Sequence, residues 1–347
     1  MFSEQPKKEK RIPEEEFVSL AKQPANNPKS FEDLNSYAHY ALTPIEHDYP
    51  GRTPTMWNAV YKQFDMDVVM AMVIGDPEIT KELVKALKED PKYIGGGTGV
   101  GFKDQVIKYL DELDPVAQAV GSINVVKKMP DGLLRGYNTD GIGYLQSLTP
   151  LIEKEGKKDI SDMKIVMLGA GGTGNSVAFA LAEAVREVVI LNRSVEKAKD
   201  LANRINQYIG RDICRASGED SILNEVSTAD VVVNVSTKGS AGDLENYSSL
   251  APAKLPANEE NIKQNETDAE KVISTIPKGT IISDIILRKG DTPLLAAAKK
   301  HGFVTLDGLP MVINQGVESF WLLHEEEMKR LGIKKEEVAK IIKEVTI

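Results

Sequence analysis

The sequence predicts an α/β protein of two domains, on three observations. A glycine-rich turn, "GAGGTG", separates an apolar strand-like run from a helix-like pattern, and a second buried run follows within about 30 residues, which is one βαβ unit of a doubly wound sheet. Strand-like and helix-like stretches alternate on both sides of that unit. At 347 residues the chain is long enough to bury two cores, and the charged segment "EKEGKKD" reads as the linker between them.

The N-terminal stretch "MFSEQPKKEKRIPEEEF" is charged, contains proline and lacks the apolar core of a signal peptide, so residues 1–30 are expected to be a disordered or loosely attached extension. Residues 31–150 form the first domain. Here "YAHYALTPI", "MDVVMAMVI" and "SINVVKK" read as strands, and "PTMWNAVYKQF", "EITKELVKALKED" and "KDQVIKYLDEL" as helices. "GGGTGVGF", Gly95 to Phe102, reads as a flexible loop running into the last of these helices.

Residues 151–310 form the second domain, of the Rossmann type. The run Ile165 to Leu168 enters the glycine turn, Val177, Ala178 and Leu181 mark the helix after it, and "EVVILNRS" supplies a strand ending near Leu191. "ADVVVNVSTKG" and "GTIISDIIL" are further strands, and "SVEKAKDLANRINQYI" and "TPLLAAAKKHG" further helices. "PANEENIKQNETDAEK" is polar without clear periodicity and reads as a surface insertion. Residues 311–347 are expected to be helices that return to the first domain.

Composition narrows the function. A formal net charge of −9 argues against nucleic acid and against an anionic membrane surface, both of which need clustered Lys and Arg. No apolar run approaches the ~20 residues of a membrane span. The single cysteine, Cys214, offers neither an internal disulfide nor a cysteine-based zinc site, which suits a reducing cytoplasm. The four histidines have no metal-ligand spacing, so no metal is implied. A homodimer is among the assemblies the sequence leaves open.

The glycine turn, Gly169, Ala170, Gly171, Gly172, Thr173 and Gly174, has the spacing that lets a pyrophosphate approach backbone amides at a helix start. A merely tight turn is the bland alternative. An NAD site would end the second strand with Asp or Glu, to hold the ribose 2′-hydroxyl. This chain has Asn192, Arg193 and Ser194, with Lys197 close behind. A guanidinium attracts a 2′-phosphate where a carboxylate repels it, so NADP is expected over NAD. For Arg193 and Lys197 the alternative is a solvated helix start.

Lys103 invites comparison with a phosphate-binding loop and fails it. Phe102 separates the lysine from the last glycine, and Asp104 stands where Ser or Thr should follow.

In order and spacing, "TPTMWNAVY", "FKDQVIKYLDELDPVAQAVGSINVV", "GYNTDGIGYL", "GAGGTG", "NRS", "VVNVSTKG", "SDIIL" and "DGLPMVINQGVESF" resemble the shikimate and quinate dehydrogenase family, from about Tyr40 to Leu323. The resemblance implies two domains with substrate in the cleft between them. It implies that Lys103 and Asp140 bracket the reacting hydroxyl or ketone, that Asn124 holds a ring hydroxyl, and that Gln315 also touches the ring. Cofactor contacts would fall on the glycine turn, on Asn192, Arg193 and Ser194, and on Asn234, Ser236 and Thr237.

The chemistry is consistent with these residue types. Reducing a ketone with NADPH delivers a hydride to carbon and requires a proton for the developing alkoxide, and oxidation requires that proton to be removed. A lysine serves both directions. A helix N-terminus and partial burial at Lys103 are expected to lower its pKa, while Asp140 favours the charged form.

Three positions depart from the family pattern, all on the substrate side. Gly51 and Thr53 stand for its two carboxylate-holding serines, with Arg52 between them as a replacement donor. Gly99 occupies the place of a threonine before the lysine, with Thr98 one place earlier. Leu287 replaces a tyrosine. The leading expectation is an NADP-dependent dehydrogenase of shikimate, quinate or a related cyclic hydroxy acid. A non-catalytic sensor of NADP and a metabolite is the alternative from a different class, and a methyltransferase is disfavoured because Arg193 and Ser194 suit a phosphate.

Overall fold

The computed structural model describes residues 18–19, 34, 36–46, 51–99, 101–103, 105–156 and 159–346. The expected N-terminal extension lies outside these residues, apart from Val18 and Ser19. Two compact units emerge. The first holds the described residues up to Gln118, Ile123–Asn138 and the chain from Gly316 onward; the second holds Ala119–Ser122 and Thr139–Gln315.

The first unit is built on β1 (Val18–Ser19), β2 (His39–Ile45), α1 (Thr53–Gln63), β3 (Val68–Ile74), α2 (Thr80–Glu89), β4 (Tyr93–Gly97), β5 (Glu112–Leu113), α3 (Pro115–Val120, reaching into the second unit), β6 (Val125–Lys128) and β7 (Leu134–Tyr137). The seven strands form one sheet in the order β1-β3-β2-β4-β6-β7-β5. β2 is parallel to β3 and β4, and β6 is antiparallel to β4 and β7. Continuous apolar runs in β2 and β3 are buried almost throughout, as strands covered on both faces must be.

Two expectations are corrected here. Gly95, Gly96 and Gly97 lie in β4, inside the sheet, and not in a flexible loop. A side chain is excluded there by the neighbouring strands: a Cβ on Gly96, whose φ is +156°, would overlap the Leu42 carbonyl, and one on Gly97 would stand 2.5 Å from Thr43 Oγ1. The expected helix "KDQVIKYLDEL" is instead a short 3-10 turn, Val106–Tyr109, followed by β5. Its apolar residues Val106, Ile107, Leu110 and Leu113 do share one core, but Asp111 draws the chain into the sheet. Asp111 N donates to Leu134 O at 3.0 Å and its carboxylate accepts from Leu134 N at 2.8 Å. Strand pairing overrides a helical spacing.

The second unit contains α4 (Asp140–Lys154), β8 (Lys164–Leu168), α5 (Gly172–Ala184), β9 (Glu187–Leu191), α6 (Val195–Ile209), β10 (Cys214–Ser217), α7 (Ile222–Val226), β11 (Val231–Asn234), α8 (Glu259–Ile273), β12 (Ile281–Asp284), α9 (Pro293–Lys300) and β13 (Val304–Leu306). Its six strands are all parallel in the order β10-β9-β8-β11-β12-β13, the 3-2-1-4-5-6 order of a dinucleotide-binding sheet. The order reverses between β8 and β11, which opens a crevice at their carboxyl ends.

The stretch expected to be a polar insertion is largely α8. Asn258 caps it by accepting from Asn261 N at 2.9 Å, and Asn265, Ala269, Val272 and Ile273 bury one face. The pattern is hard to see because one buried position is an asparagine and another an alanine. Asn265 is satisfied by Ser248 N and by the carbonyls of Ser248, Ala251 and Pro252.

α10 (Leu309–Arg330) begins in the second unit and continues from Gly316 in the first, where α11 (Lys335–Thr346) also lies. Trp57, Tyr61, Phe320 and His324 form a buried aromatic cluster between α1 and α10, and Trp57 Nε1 donates to Gly316 O at 3.2 Å. Burial pushes the His324 imidazole down to about 3, so it is neutral and shares a 2.8 Å hydrogen bond with the Tyr61 hydroxyl.

Candidate active site

Within the second unit, the glycine turn sits at the end of β8, at the switch point. Gly169 has φ +122°, and a Cβ there would stand 2.8 Å from Ser236 N, so only glycine lets this turn lie against the loop after β11. Gly174 lets α5 approach that loop, since a Cβ would meet Val235 Cγ2 at 2.9 Å. Gly171 and Gly172 are exposed, and nothing stands within 4 Å of a Cβ built on Gly171. The first and last glycines therefore serve packing, and the middle pair leaves open backbone at the α5 N-terminus that fits a pyrophosphate.

Asn192, Arg193 and Ser194 follow β9. Asn192 Nδ2 donates to Ser194 O at 2.9 Å, and Arg193, Ser194 and Lys197 are exposed at the start of α6. After β11, the Asn234 amide is consumed within the protein. It accepts from Ser236 N at 3.0 Å and Ser236 Oγ at 2.7 Å, and donates to Lys238 O at 2.9 Å and Asp284 Oδ1 at 3.1 Å. Asn234 thus shapes the loop that presents Ser236 and Thr237, its four hydrogen-bonding positions being filled.

Asp140 lies in the first turn of α4 and is 7% exposed, where the helix N-terminus favours a carboxylate. Two glycines seat this helix. A Cβ on Gly141 would overlap the Ser176 carbonyl of α5, and one on Gly143 would stand 2.7 Å from Gln315 N. Thr139 Oγ1 donates to Gln315 O at 3.3 Å, and Asn314 Nδ2 donates to Ser147 Oγ at 3.0 Å. Asp140 and Gln315 are therefore brought to one corner of the unit. Gly141 and Gly143 went unread as site residues, although two glycines inside a helical pattern are themselves a sign of close approach.

In the first unit, Thr98 and Asn124 are neighbours and both buried. Thr98 N donates to Asn124 O at 2.9 Å, and Thr98 Oγ1 donates to Ile123 O at 2.8 Å, which leaves this hydroxyl to act as an acceptor. Lys103 is half-buried on the turn that follows β4. That turn is pinned by Gly99 N to Pro44 O at 3.0 Å and Phe102 N to Gly99 O at 3.1 Å, and by the fully buried Phe102 ring. No α-helix starts at Lys103, so the expected contribution of a helix dipole to its pKa is withdrawn. Thr53 opens α1. Arg52 is exposed, and its Nη1 donates to Thr346 O at 2.8 Å at the end of α11, so a carbonyl occupies part of the fork that was expected to hold a carboxylate. Leu287, in place of the family's tyrosine, is exposed.

Asp284, at the end of β12, was not singled out by its sequence context. It is fully buried and accepts from Ile286 N, Asn234 Nδ2 and Thr292 Oγ1, and burial pushes its carboxyl up to about 6 against those hydrogen bonds.

Comparison with known proteins gives the family. Residues 22–126 match the model of the shikimate dehydrogenase substrate binding domain, and residues 151–244 that of shikimate / quinate 5-dehydrogenase. A protein of Bacillus thuringiensis named shikimate dehydrogenase (NADP(+)) is 30% identical over 298 residues, covering 84% of this chain and 95% of its own. The chain belongs to the shikimate/quinate dehydrogenase family. A relative of the same name from Methanocaldococcus jannaschii is 31% identical over 283 residues, 80% of this chain and 87% of its own. Among solved members of the family, a shikimate dehydrogenase in complex with NADP+ superposes with a TM-score of 0.68 at 26% identity, covering 94% of this chain and 100% of that one.

Proposed function

We propose that this family member is an NADP-dependent oxidoreductase that interconverts shikimate, quinate or a related cyclic hydroxy acid with its 3-dehydro ketone. The observation that carries the reading is the placement of Asp140: a buried carboxylate at the start of a helix that Gly141 and Gly143 seat against α5 and Gln315. A pure binding protein has no need of a buried carboxylate held so firmly. The names of the relatives support both the cofactor and the substrate class.

NADP, when bound, accepts or supplies the hydride. The exposed amides around Gly171 and Gly172 receive its pyrophosphate, and Arg193 and Lys197 its 2′-phosphate. Lys103 donates a proton to the ketone oxygen as the alkoxide develops, and removes it in the oxidising direction. The family resemblance assigns Asp140 to the same proton-transfer step. Asn124 and Gln315 orient the ring hydroxyls, and Thr53 donates to the substrate carboxylate. Thr98 contributes an acceptor, and Arg52 stabilises the C-terminus of α11 and stays outside the substrate set.

The test mixes purified protein with NADP+ or NAD+ and a panel including shikimate and quinate, following absorbance of the reduced cofactor. Turnover with NADP+ that is lost in Lys103→Ala and in Asp140→Asn, with cofactor affinity unchanged, is the expected result. Cofactor and metabolite binding without turnover across the panel would replace the enzyme with the sensor reading.

A further inference from the structure

The loop after β11 carries a charge that the reading above does not use. Lys238 is 9% exposed, and its Nζ donates to Glu219 Oε1 at 2.7 Å and to Ala251 O at 2.7 Å. Glu219 stands two residues beyond β10, and that strand end is tied to the end of β9. Asn192 N donates to Ser217 O at 3.2 Å, and a Cβ on Gly218 would lie 3.3 Å from Val195 Cγ2 at the start of α6. The Glu219 carboxylate therefore belongs to the same edge of the sheet as Arg193. Burial pulls the Lys238 ammonium down, the Glu219 carboxylate holds it up, and the Arg193 guanidinium pulls it down again, so the two cations sense each other.

A carboxylate at this edge is the device by which NAD sites repel a 2′-phosphate. Here one is present, contributed by the turn after the third strand and not by the end of the second, and a buried lysine is paired with it. We propose that Lys238 is a cofactor-selectivity residue: by pairing with Glu219 it cancels the negative charge beside Arg193 and so sustains a preference for the 2′-phosphorylated dinucleotide. Lys238 acts through charge balance and does not itself touch the phosphate. The inference rests on the NADP reading.

The test titrates NADPH and NADH, by cofactor fluorescence, into wild type, Lys238→Met, Glu219→Gln and the double variant. Lys238→Met is expected to weaken NADPH about tenfold, the size of one unit-charge interaction over roughly 10 Å at an intermediate dielectric, with NADH affinity little changed. Glu219→Gln, which keeps the lysine and its space, is expected to raise the NADPH preference at least about twofold, and the double variant to recover wild-type preference. Equal weakening of both cofactors in Lys238→Met marks a mere strut and overturns the proposal, as does an unchanged or lowered preference in Glu219→Gln. The second variant decides the matter if the first fails to fold. A wild type that prefers NADH, or binds neither, refutes the cofactor reading itself, a result distinct from a wild type that prefers NADPH with variants that leave the ratio alone.

Discussion

Asp284→Asn should stabilise this protein at neutral pH, although it removes a fully buried, three-times hydrogen-bonded carboxylate. The folded carboxyl titrates at about 6 against an ordinary value of 3.8. Because its pKa is raised on folding, the folded chain binds the proton more tightly than the unfolded chain across that interval. The group is therefore least costly below about pH 4, and stability is lost as pH rises through 6, to a total of ~3 kcal/mol. Asparagine preserves the shape and the needed partners. Its Oδ1 can accept from Ile286 N and Asn234 Nδ2 as Asp284 Oδ1 does, and its Nδ2 can donate to Thr292 Oγ1, reversing one bond. Urea unfolding at a series of pH values is the assay, followed by circular dichroism because both tryptophans, Trp57 and Trp321, report on the first unit. The variant should exceed wild type by up to ~3 kcal/mol at pH 7.5, with the gap narrowing as pH falls through 6 and gone below about pH 4. A variant less stable than wild type at pH 7.5, or a difference independent of pH, refutes the reasoning.

Three further outcomes are expected. Gly96→Ala should cost at least ~3 kcal/mol, because the new methyl overlaps the Leu42 carbonyl in a sheet interior that has no room to yield; a near-normal melting temperature would contradict this. Lys164→Met should cost about 2 kcal/mol, since the ammonium serves Glu225 Oε2, Glu225 O and Thr228 Oγ1 at the start of β8 while Arg215 still pairs with Glu225. Lying at the opposite end of β8 from the glycine turn, that change should leave the NADPH dissociation constant unaltered. Arg193→Ala should weaken NADPH by about 2 kcal/mol, or roughly thirtyfold, with little effect on NADH, measured by the same titration.

The second unit was the more legible in sequence because parallel strands buried on both faces leave continuous apolar runs, and "KIVML", "EVVIL" and "VVV" announce β8, β9 and β11 without help from context. The cofactor class was legible where a residue type has few uses: the glycine spacing and the basic end of β9 point to NADP, which the relatives' names also carry. The failures share a cause. Val106, Ile107, Leu110 and Leu113 fit a helical face and also fit a turn and strand packed on one core, and only the pairing of Asp111 with Leu134 decides between them. Asn265 hid α8 because a buried asparagine looks like a surface residue until its carbonyl partners are known. Lys238 and Asp284 were invisible for the same reason: their meaning lies in partners 19 and 50 residues away.

The glycines before Lys103 change most in meaning. Read as a string they suggest mobility, yet in β4 they are what allows the strands on either side to close, and a chain with side chains at Gly96 and Gly97 could not occupy that place in the sheet. Rigidity then passes outward. β4 fixes Thr98, Thr98 is bonded to Ile123 and Asn124, Gly99 is bonded to Pro44, and Phe102 is sunk in the core one residue before the lysine. The proton-donor role proposed for Lys103 gains from such a mount, because a donor held on a packed strand end loses less entropy in reaching its geometry than one on a loose loop. The structure thus replaces a helix start with a pinned turn as the mount of Lys103.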